Sequence, residues 1–210
     1  MKLLYVVDPM CSWCYGFAPT LDALRNELCG SVQFELVMGG LAPDSDEPMP
    51  PATAEYVQAA WHAVTERTGV AFNHNFWRDC QPRRSTYPAC RAVILAREEG
   101  REWDMLAAIQ RAYYQDAMNP SDTETLVALA QGIGLDRPDF EQALQLEKTQ
   151  AKLQADFGLR ESLGATSFPS LGLERDGNLE LIAAGCLGLD ELRLAVERCG
   201  VPIKESPRTG

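Results

Sequence analysis

The stretch DPMCSWCYGF, Asp8 to Phe17, decides how the rest of the chain is read. It follows KLLYVV (Lys2 to Val7), a short apolar and β-branched run with the texture of a buried strand. It leads into Trp13, Phe17, Leu21, Leu24 and Leu28, which recur at helical spacing until Gly30 stops them. Cys11 and Cys14 therefore sit at a strand-to-helix corner. Such a pair can ligate a metal, close a structural disulfide or exchange electrons.

Outward from that corner, VQFELVM (Val32 to Met38) alternates with period two, placing Val32, Phe34, Leu36 and Met38 on one face before Gly39-Gly40 ends the run. The opening is thus β-α-β, with a helix over a parallel pair. LAPDSDEPMPP is a connection, and nearly everything from Thr53 to Leu163 has helical texture. Pro88 suits a first helical turn, with an apolar stripe of Ala89, Cys90, Val93, Ile94 and Ala96 behind it. Met105, Leu106, Ile109, Ala112 and Tyr113 mark the next helix. Ser121 to Glu124 has capping-box spacing, and Asp136 ahead of Pro138 marks a further helix start. After Gly164, SFPSLGL (Ser167 to Leu173) and LELIAA (Leu179 to Ala184) flank a turn at Asp176-Gly177-Asn178 and read as an antiparallel hairpin. Leu189, Leu192, Leu194, Ala195 and Val196 give a last helix, and the final ten residues read as a loose tail. The simplest assembly is one four-stranded sheet built from both ends of the chain. The divisions are 1–43 for the first half, 44–163 for a helical insertion, and 164–210 for the second half and tail.

The 210 residues carry 30 acidic against 19 basic side chains, a net charge of -11 that disfavours nucleic acid and membrane surfaces as partners. Asp8 and Pro9 cut off the apolar start before a signal-peptide core forms, and no other apolar run spans a bilayer, so a cytoplasmic location is expected. Seven cysteines, an odd number, then suggest reduced thiols rather than a disulfide framework. Oligomeric state is left open.

A zinc site would need two further ligands from Cys29, Cys80, Cys90, Cys186, Cys199, His62 and His74, none of which forms a second close pair. No metal is expected. The first turn of a helix, in contrast, presents free N–H groups and positive dipole potential that stabilise an attacking thiolate. Cys14, one turn further on, can close a ring with Cys11 and resolve a mixed disulfide.

Cys11-Ser-Trp-Cys14 after a short strand, Pro19 beyond it and Phe168-Pro169 opening a late strand together resemble a thioredoxin fold. The helical block between the halves resembles the DsbA branch. DPMCSWCYGFAPT, GGLAP, FW, RSTYPACRA and SFPSL are similar to cytosolic DsbA-like proteins grouped near FrnE-type oxidoreductases, 2-hydroxychromene-2-carboxylate isomerase and kappa-class glutathione transferases. The resemblance implies an α/β thioredoxin fold with an all-helical insertion and a thiol-disulfide oxidoreductase acting on protein or low-molecular-weight disulfides. It implies Cys11 as exposed nucleophile, Cys14 as buried resolver and Pro169 as a cis-proline opposite them. No bound cofactor is implied, with glutathione a reductant or substrate. Rival readings are a glutathione-dependent transferase or isomerase and a non-catalytic protein-binding adaptor.

Ser12 and Trp13 between the cysteines, with the backbone of Phe168, form the expected substrate ledge. Arg83, Arg84, Ser85 and Tyr87 lie at a helix entrance, where Arg84 and Ser85 are placed to hold a glutathione carboxylate or to belong to a solvated loop and cap. Cys29, Cys90, Cys186 and Cys199 read as small core residues and Cys80 as an extra exposed thiol. His62 and His74 have no visible acid-base partner, and Trp61, Phe72, Phe76 and Trp77 read as core of the insertion. Asp8 either caps the helix or modulates the thiolate.

Overall fold

The structure, a computed structural model, describes residues 1–135, 138–201 and 203. Strand β1 (Lys2–Val7) lies between β2 (Gln33–Met38), parallel to it, and β3 (Ser170–Arg175), antiparallel, with β4 (Asn178–Ala184) outside β3, giving the order β2-β1-β3-β4. Helix α1 (Ser12–Glu27) makes the crossover that a parallel β1–β2 pair requires. Both faces of β1 are covered, which explains its unbroken apolar run. Leu3, Tyr5 and Val7 enter the main core, while Leu4 and Val6 meet Val37, Leu163 and Ala165 on the other face.

Between β2 and β3 lie α2 (Pro51–Thr68), α3 (Phe76–Asp79), α4 (Tyr87–Arg97), α5 (Glu102–Tyr114), α6 (Thr123–Gly132), α7 (Phe140–Leu144) and α8 (Glu147–Ser162); α9 (Leu189–Arg198) follows β4. The insertion is anchored to the sheet by charge as well as packing. Arg97 on α4 meets Asp156 on α8 through two hydrogen bonds of 3.0 and 2.9 Å and also donates to the Leu36 carbonyl. Asp156 in turn accepts the Met38 N–H at 2.8 Å. A single ion pair thus joins two helices to the end of β2. Trp61 and Phe76 are fully buried, with Phe72 and Trp77 packed against them, as insertion core.

Several local expectations are corrected. β3 begins at Ser170 rather than Ser167, because Pro169 has no N–H to give a ladder. The hairpin turn is the two residues Asp176 and Gly177, with φ of 53° and 79°, and Asn178 already pairs with Arg175. The capping box at Ser121 does not form: Asp122 holds the N-cap position, and the buried Ser121 hydroxyl instead donates to the Ser85 carbonyl at 2.8 Å. Of the four cysteines expected in the core, Cys90 is buried, Cys186 and Cys199 are half-buried, and Cys29 is exposed beyond Leu28, the last buried residue of its helical stripe. Cys80 is half-buried rather than exposed, and its thiol donates to the Ala117 carbonyl at 3.0 Å. The helix start at Asp136 lies outside the described residues, as does the tail apart from Val201 and Ile203.

Candidate active site

Cys11 holds the N-cap position of α1, and Cys14 is in the first turn. Both thiols are free. Cys11 is 7% exposed and Cys14 is 0% exposed, so Cys11 is the more open of the two, but far less open than the exposed thiol expected there. Leu41, Tyr56, Val57 and Phe168 close around it, leaving a cleft of about 260 Å³ that also contains Ser12, Trp13 and Arg84.

The two sulfurs are electrically unlike. The Cys11 pKa is lowered chiefly by a hydrogen bond from the Cys14 thiol, with help from the N–H groups of Cys14 and Trp13 at the start of the helix, against burial and the Asp8 charge. Cys14 is pushed well above the usual thiol range, first by burial and then by Cys11 itself. The pair therefore supports one thiolate, and it resides on the cysteine that faces the cleft. When protonated, the Cys11 thiol reaches the Phe168 carbonyl at 3.8 Å.

That carbonyl is presented by the segment leading into β3. The Phe168-Pro169 peptide is cis, and the Pro169 carbonyl accepts the Gly185 N–H at 2.8 Å. On the opposite wall, Gly39 to Asp44 is held from four sides. The Gly39 carbonyl accepts from Arg160 at 2.5 Å, and the Leu41 N–H donates to Asp8 at 2.6 Å. Ala42 N–H donates to the Thr86 hydroxyl at 3.1 Å, and Asp44 pairs with the buried Arg91.

Asp8 does not cap α1 with its side chain, which resolves one of its two readings. It is fully buried and accepts from Met10, Leu41, Thr86 and the Cys90 thiol, while its charge raises both active-site thiols. Arg84 lines the cleft, whereas its neighbour Arg83 is turned away to Asp122 and the Ser121 carbonyl. Ser85, expected beside Arg84, is 2% exposed and lies behind the wall, where its hydroxyl accepts the Ser45 N–H at 3.2 Å. The turn into α4 points successive side chains in different directions, so adjacency in sequence did not carry Ser85 into the cleft. His62 and His74 are exposed and stack on each other at 4.6 Å, away from the cleft residues. Among the described residues no three His, Cys, Asp or Glu side chains cluster as metal ligands.

Tyr56, 70% exposed, and Val57 were not anticipated as cleft residues. Nothing in the sequence marks α2 as a neighbour of the cysteines. The Thr86 link to Asp8 was equally hidden, since its partners are 78 positions apart.

A buried dithiol with one lowered and one raised pKa, at the first turn of α1 and beside the loop before β3, is the arrangement that thiol-disulfide exchange requires. The profile of the DSBA-like thioredoxin domain matches residues 2–196, and the chain belongs to that family. The fold is similar to a candidate protein disulfide isomerase from Nitrosomonas europaea, with 29% identity, TM-score 0.83 and coverage of 94% of this chain and 97% of that one. It is also similar to the cytosolic disulfide reductase DsbM of Pseudomonas aeruginosa, with 30% identity, TM-score 0.78 and coverage of 95% and 98%; DsbM is also known in a structure with GSH. A curated relative, the ClpXP adapter protein SpxH of Bacillus subtilis, is 23% identical over 174 residues, 81% of this chain and 57% of its own length. The chain thus spans little more than half of that relative. No described helix is long and apolar enough to cross a membrane.

Proposed function

We propose that this protein is a cytosolic thiol-disulfide oxidoreductase that cycles Cys11 and Cys14 between dithiol and disulfide, with proteins or glutathione as its disulfide partners. The observation that carries the reading is the division of labour between the sulfurs: the thiolate-favouring Cys11 faces the cleft, and Cys14, fully buried, faces only Cys11 and the core.

In the reducing direction, the Cys11 thiolate attacks one sulfur of a substrate disulfide. The substrate S–S bond breaks, and one substrate sulfur departs as a thiolate. Cys14, after losing its proton, attacks Cys11, expels the second substrate sulfur and leaves a Cys11–Cys14 disulfide. An external dithiol or glutathione restores the starting state. The backbone of Phe168 offers an edge along which an extended peptide can pair, and Arg84 supplies a cation for a substrate carboxylate. The similarity to DsbM, a disulfide reductase also known with GSH, supports both the activity and glutathione as a participant.

The test is trapping. Cys14→Ser leaves Cys11 able to attack and removes the resolver, so adducts should accumulate on Cys11 in cells and disappear when Cys11 is also replaced. Adduct mass separates glutathione from protein clients. An unmodified Cys11 in the Cys14→Ser protein exposed to disulfides would overturn the reading. Glutathione-dependent turnover that persists without Cys14 would favour a transferase or isomerase instead. The likeness to SpxH favours, as a second reading, an adaptor that binds one protein. Tight binding that survives loss of both cysteines, without turnover, would select it.

A further inference from the structure

Gln110 occupies an apolar position on α5. It falls at helical spacing with Leu106, Tyr113 and Tyr114, all buried, and is itself only 6% exposed. Its side-chain amide nevertheless has no hydrogen-bond partner among the described residues. A buried amide left unsatisfied costs free energy, and an apolar side chain would serve the core better there. What the amide faces is a groove between α1 and α5, where Gln110 lines two adjoining clefts of about 330 and 530 Å³. The clefts also share Ala18 and Asp22 of α1 and Ala107 of α5, so short side chains on the two helices leave a slot between them. Unlike the phenol oxygen of Tyr5 in the same wall, the Gln110 amide is not sealed off from that slot.

The smaller cleft has a flat aromatic wall. The Arg25 guanidinium lies 3.6 Å from the centre of the Trp103 ring, and that ring is within 9° of parallel to the ring of Tyr5. Leu21 and Leu106 supply apolar surface beside it. The charges do not suit an anion: Asp22 and Asp104 both line this cleft, against Arg25 alone, and Arg25 stands 3.2 Å from Asp22. No uncompensated cation is left among these residues for a phosphate or a carboxylate.

We propose that this slot binds a neutral, planar heterocycle of fused rings with a cyclic amide edge, held at that edge by Gln110. A glutamine amide offers a donor and an acceptor side by side in one plane. Its complement is an N–H next to a C=O on the same edge. An ordinary trans peptide turns these two groups to opposite sides, whereas an amide within a ring presents them together. The apolar floor and the wall of Trp103 and Arg25 take the face of the ring system, in the way that pockets combine apolar surface with a few polar groups that fix orientation. Neither Cys11 nor Cys14 lines either cleft, so the site is separate from the exchange site and the inference stands apart from the redox reading.

The probe is lumichrome, a neutral and fluorescent fused-ring compound with a cyclic imide edge, titrated with the full chain and read by fluorescence anisotropy and calorimetry. The expected result is saturable binding at one site. Gln110→Met keeps the length of the side chain and removes only the amide, so it should melt no lower than wild type and bind the probe about tenfold more weakly. The 1,3-dimethyl derivative of lumichrome keeps the rings and loses the N–H donors. It should bind wild type about tenfold more weakly than the parent does, with no further loss in Gln110→Met, because both changes remove the same contact. Cys11→Ser should bind lumichrome as wild type does, and Gln110→Met should reduce disulfides at the wild-type rate. Absence of saturable binding to wild type overturns the proposal. Equal affinity of wild type for the methylated and the parent compound overturns it as well, and this comparison decides alone if Gln110→Met folds poorly. Loss of binding in Cys11→Ser would put the probe in the exchange cleft and overturn the site while leaving the redox reading standing.

Discussion

The hydroxyl of Thr86, at the entrance to α4, donates to Oδ2 of Asp8 at 2.7 Å. This short contact joins the insertion to the residue that opens the cysteine loop. The same oxygen accepts the Leu41 N–H, and Oδ1 accepts the Met10 N–H. Asp8 is therefore a hub of three segments that build the cleft, and also a negative charge close to both sulfurs.

Asp8→Asn separates these two roles. The amide presents an NH₂ where Oδ2 accepted from Leu41, Thr86 and the Cys90 thiol, so we predict a loss of about 1–3 kcal/mol of stability, the cost of leaving a buried polar group unsatisfied. At the same time, removal of the charge should lower the Cys11 pKa and make the disulfide more oxidising. Urea denaturation and thiolate absorbance measure the two effects independently. A raised Cys11 pKa in the variant would contradict the electrostatic account.

The sign of the pH dependence follows from burial, which raises the Asp8 pKa above the ordinary aspartate value despite its hydrogen bonds. A carboxyl with a folded pKa above its unfolded one contributes stability that is fully present below the unfolded pKa and lost as pH rises through the folded pKa. The stability of wild type relative to Asp8→Asn should therefore fall as pH rises from below the unfolded aspartate pKa, about 3.9, up through the raised folded one. A difference that grows with pH over this window would mean that Asp8 is held ionised by its donors.

Gly39 approaches Phe168 so closely that a Cβ there would stand 2.6 Å from the ring. Gly39→Ala must displace either the ring or the loop, and both border the cleft at Cys11. We predict a loss of reductase activity of about tenfold, out of proportion to a stability change of about 1–3 kcal/mol typical of overpacking. Insulin reduction and thermal melting, measured on the same samples, test this. Full activity would show that the Phe168 ledge tolerates movement.

The order of strands and helices was legible because it depends on local pattern. KLLYVV gives β1 without error, and the spacing from Trp13 to Leu28 gives α1. The short α3 and α7, of four and five residues, contain too few turns to show a period. The corner with Cys11 and Cys14 was legible for the same local reason. The rest of the site was not: Tyr56 and Leu41 line the cleft only through the tertiary placement of α2 and of the loop after β2, and Thr86, at the entrance to α4, reaches it only through its bond to Asp8. Burial of individual cysteines was misread because a stripe predicts a face but not where the face ends, and Cys29 falls just past that end.

Arg97 and Asp156 offer a test of the frame rather than the chemistry. Both are largely buried, and each also serves β2, Arg97 at the Leu36 carbonyl and Asp156 at the Met38 N–H. Asp156→Ala leaves the guanidinium without its main partner and the Met38 N–H without an acceptor. We predict a loss of about 3–5 kcal/mol, the range found when one member of a buried pair is removed. Equilibrium denaturation in urea would show this as a lower midpoint. A loss under about 1 kcal/mol, as for an exposed pair, would mean that solvent screens the contact.

The redox poise of the site depends on what surrounds the Cys11 sulfur. Three donors, the Cys14 thiol and two N–H groups of the first helical turn, lower its pKa, while burial and Asp8 oppose them. Stabilising the thiolate stabilises the reduced protein relative to the disulfide, so each donor makes the site a stronger oxidant and Asp8 a weaker one. Trp13, between the cysteines, adds no charge. We therefore predict a reduction potential near the reducing end for this superfamily, about -200 to -270 mV, with the protein largely reduced in a glutathione-buffered cytosol. Because the folded Cys11 pKa lies below its unfolded value, Cys11 contributes stability that is fully present above the unfolded pKa and lost as pH falls through the lowered one, while Cys14, raised well above the usual thiol range, works against the folded dithiol as pH rises past its unfolded pKa. Trp13→His places an imidazolium beside the sulfur and should lower the Cys11 pKa further, shifting the potential upward. Thiolate absorbance against pH, and equilibration with glutathione buffers read by alkylation and mass, measure both quantities in each protein. A wild-type potential as oxidising as about -120 mV, or no upward shift with the histidine, would show that groups outside the Cys-Ser-Trp-Cys turn control the site.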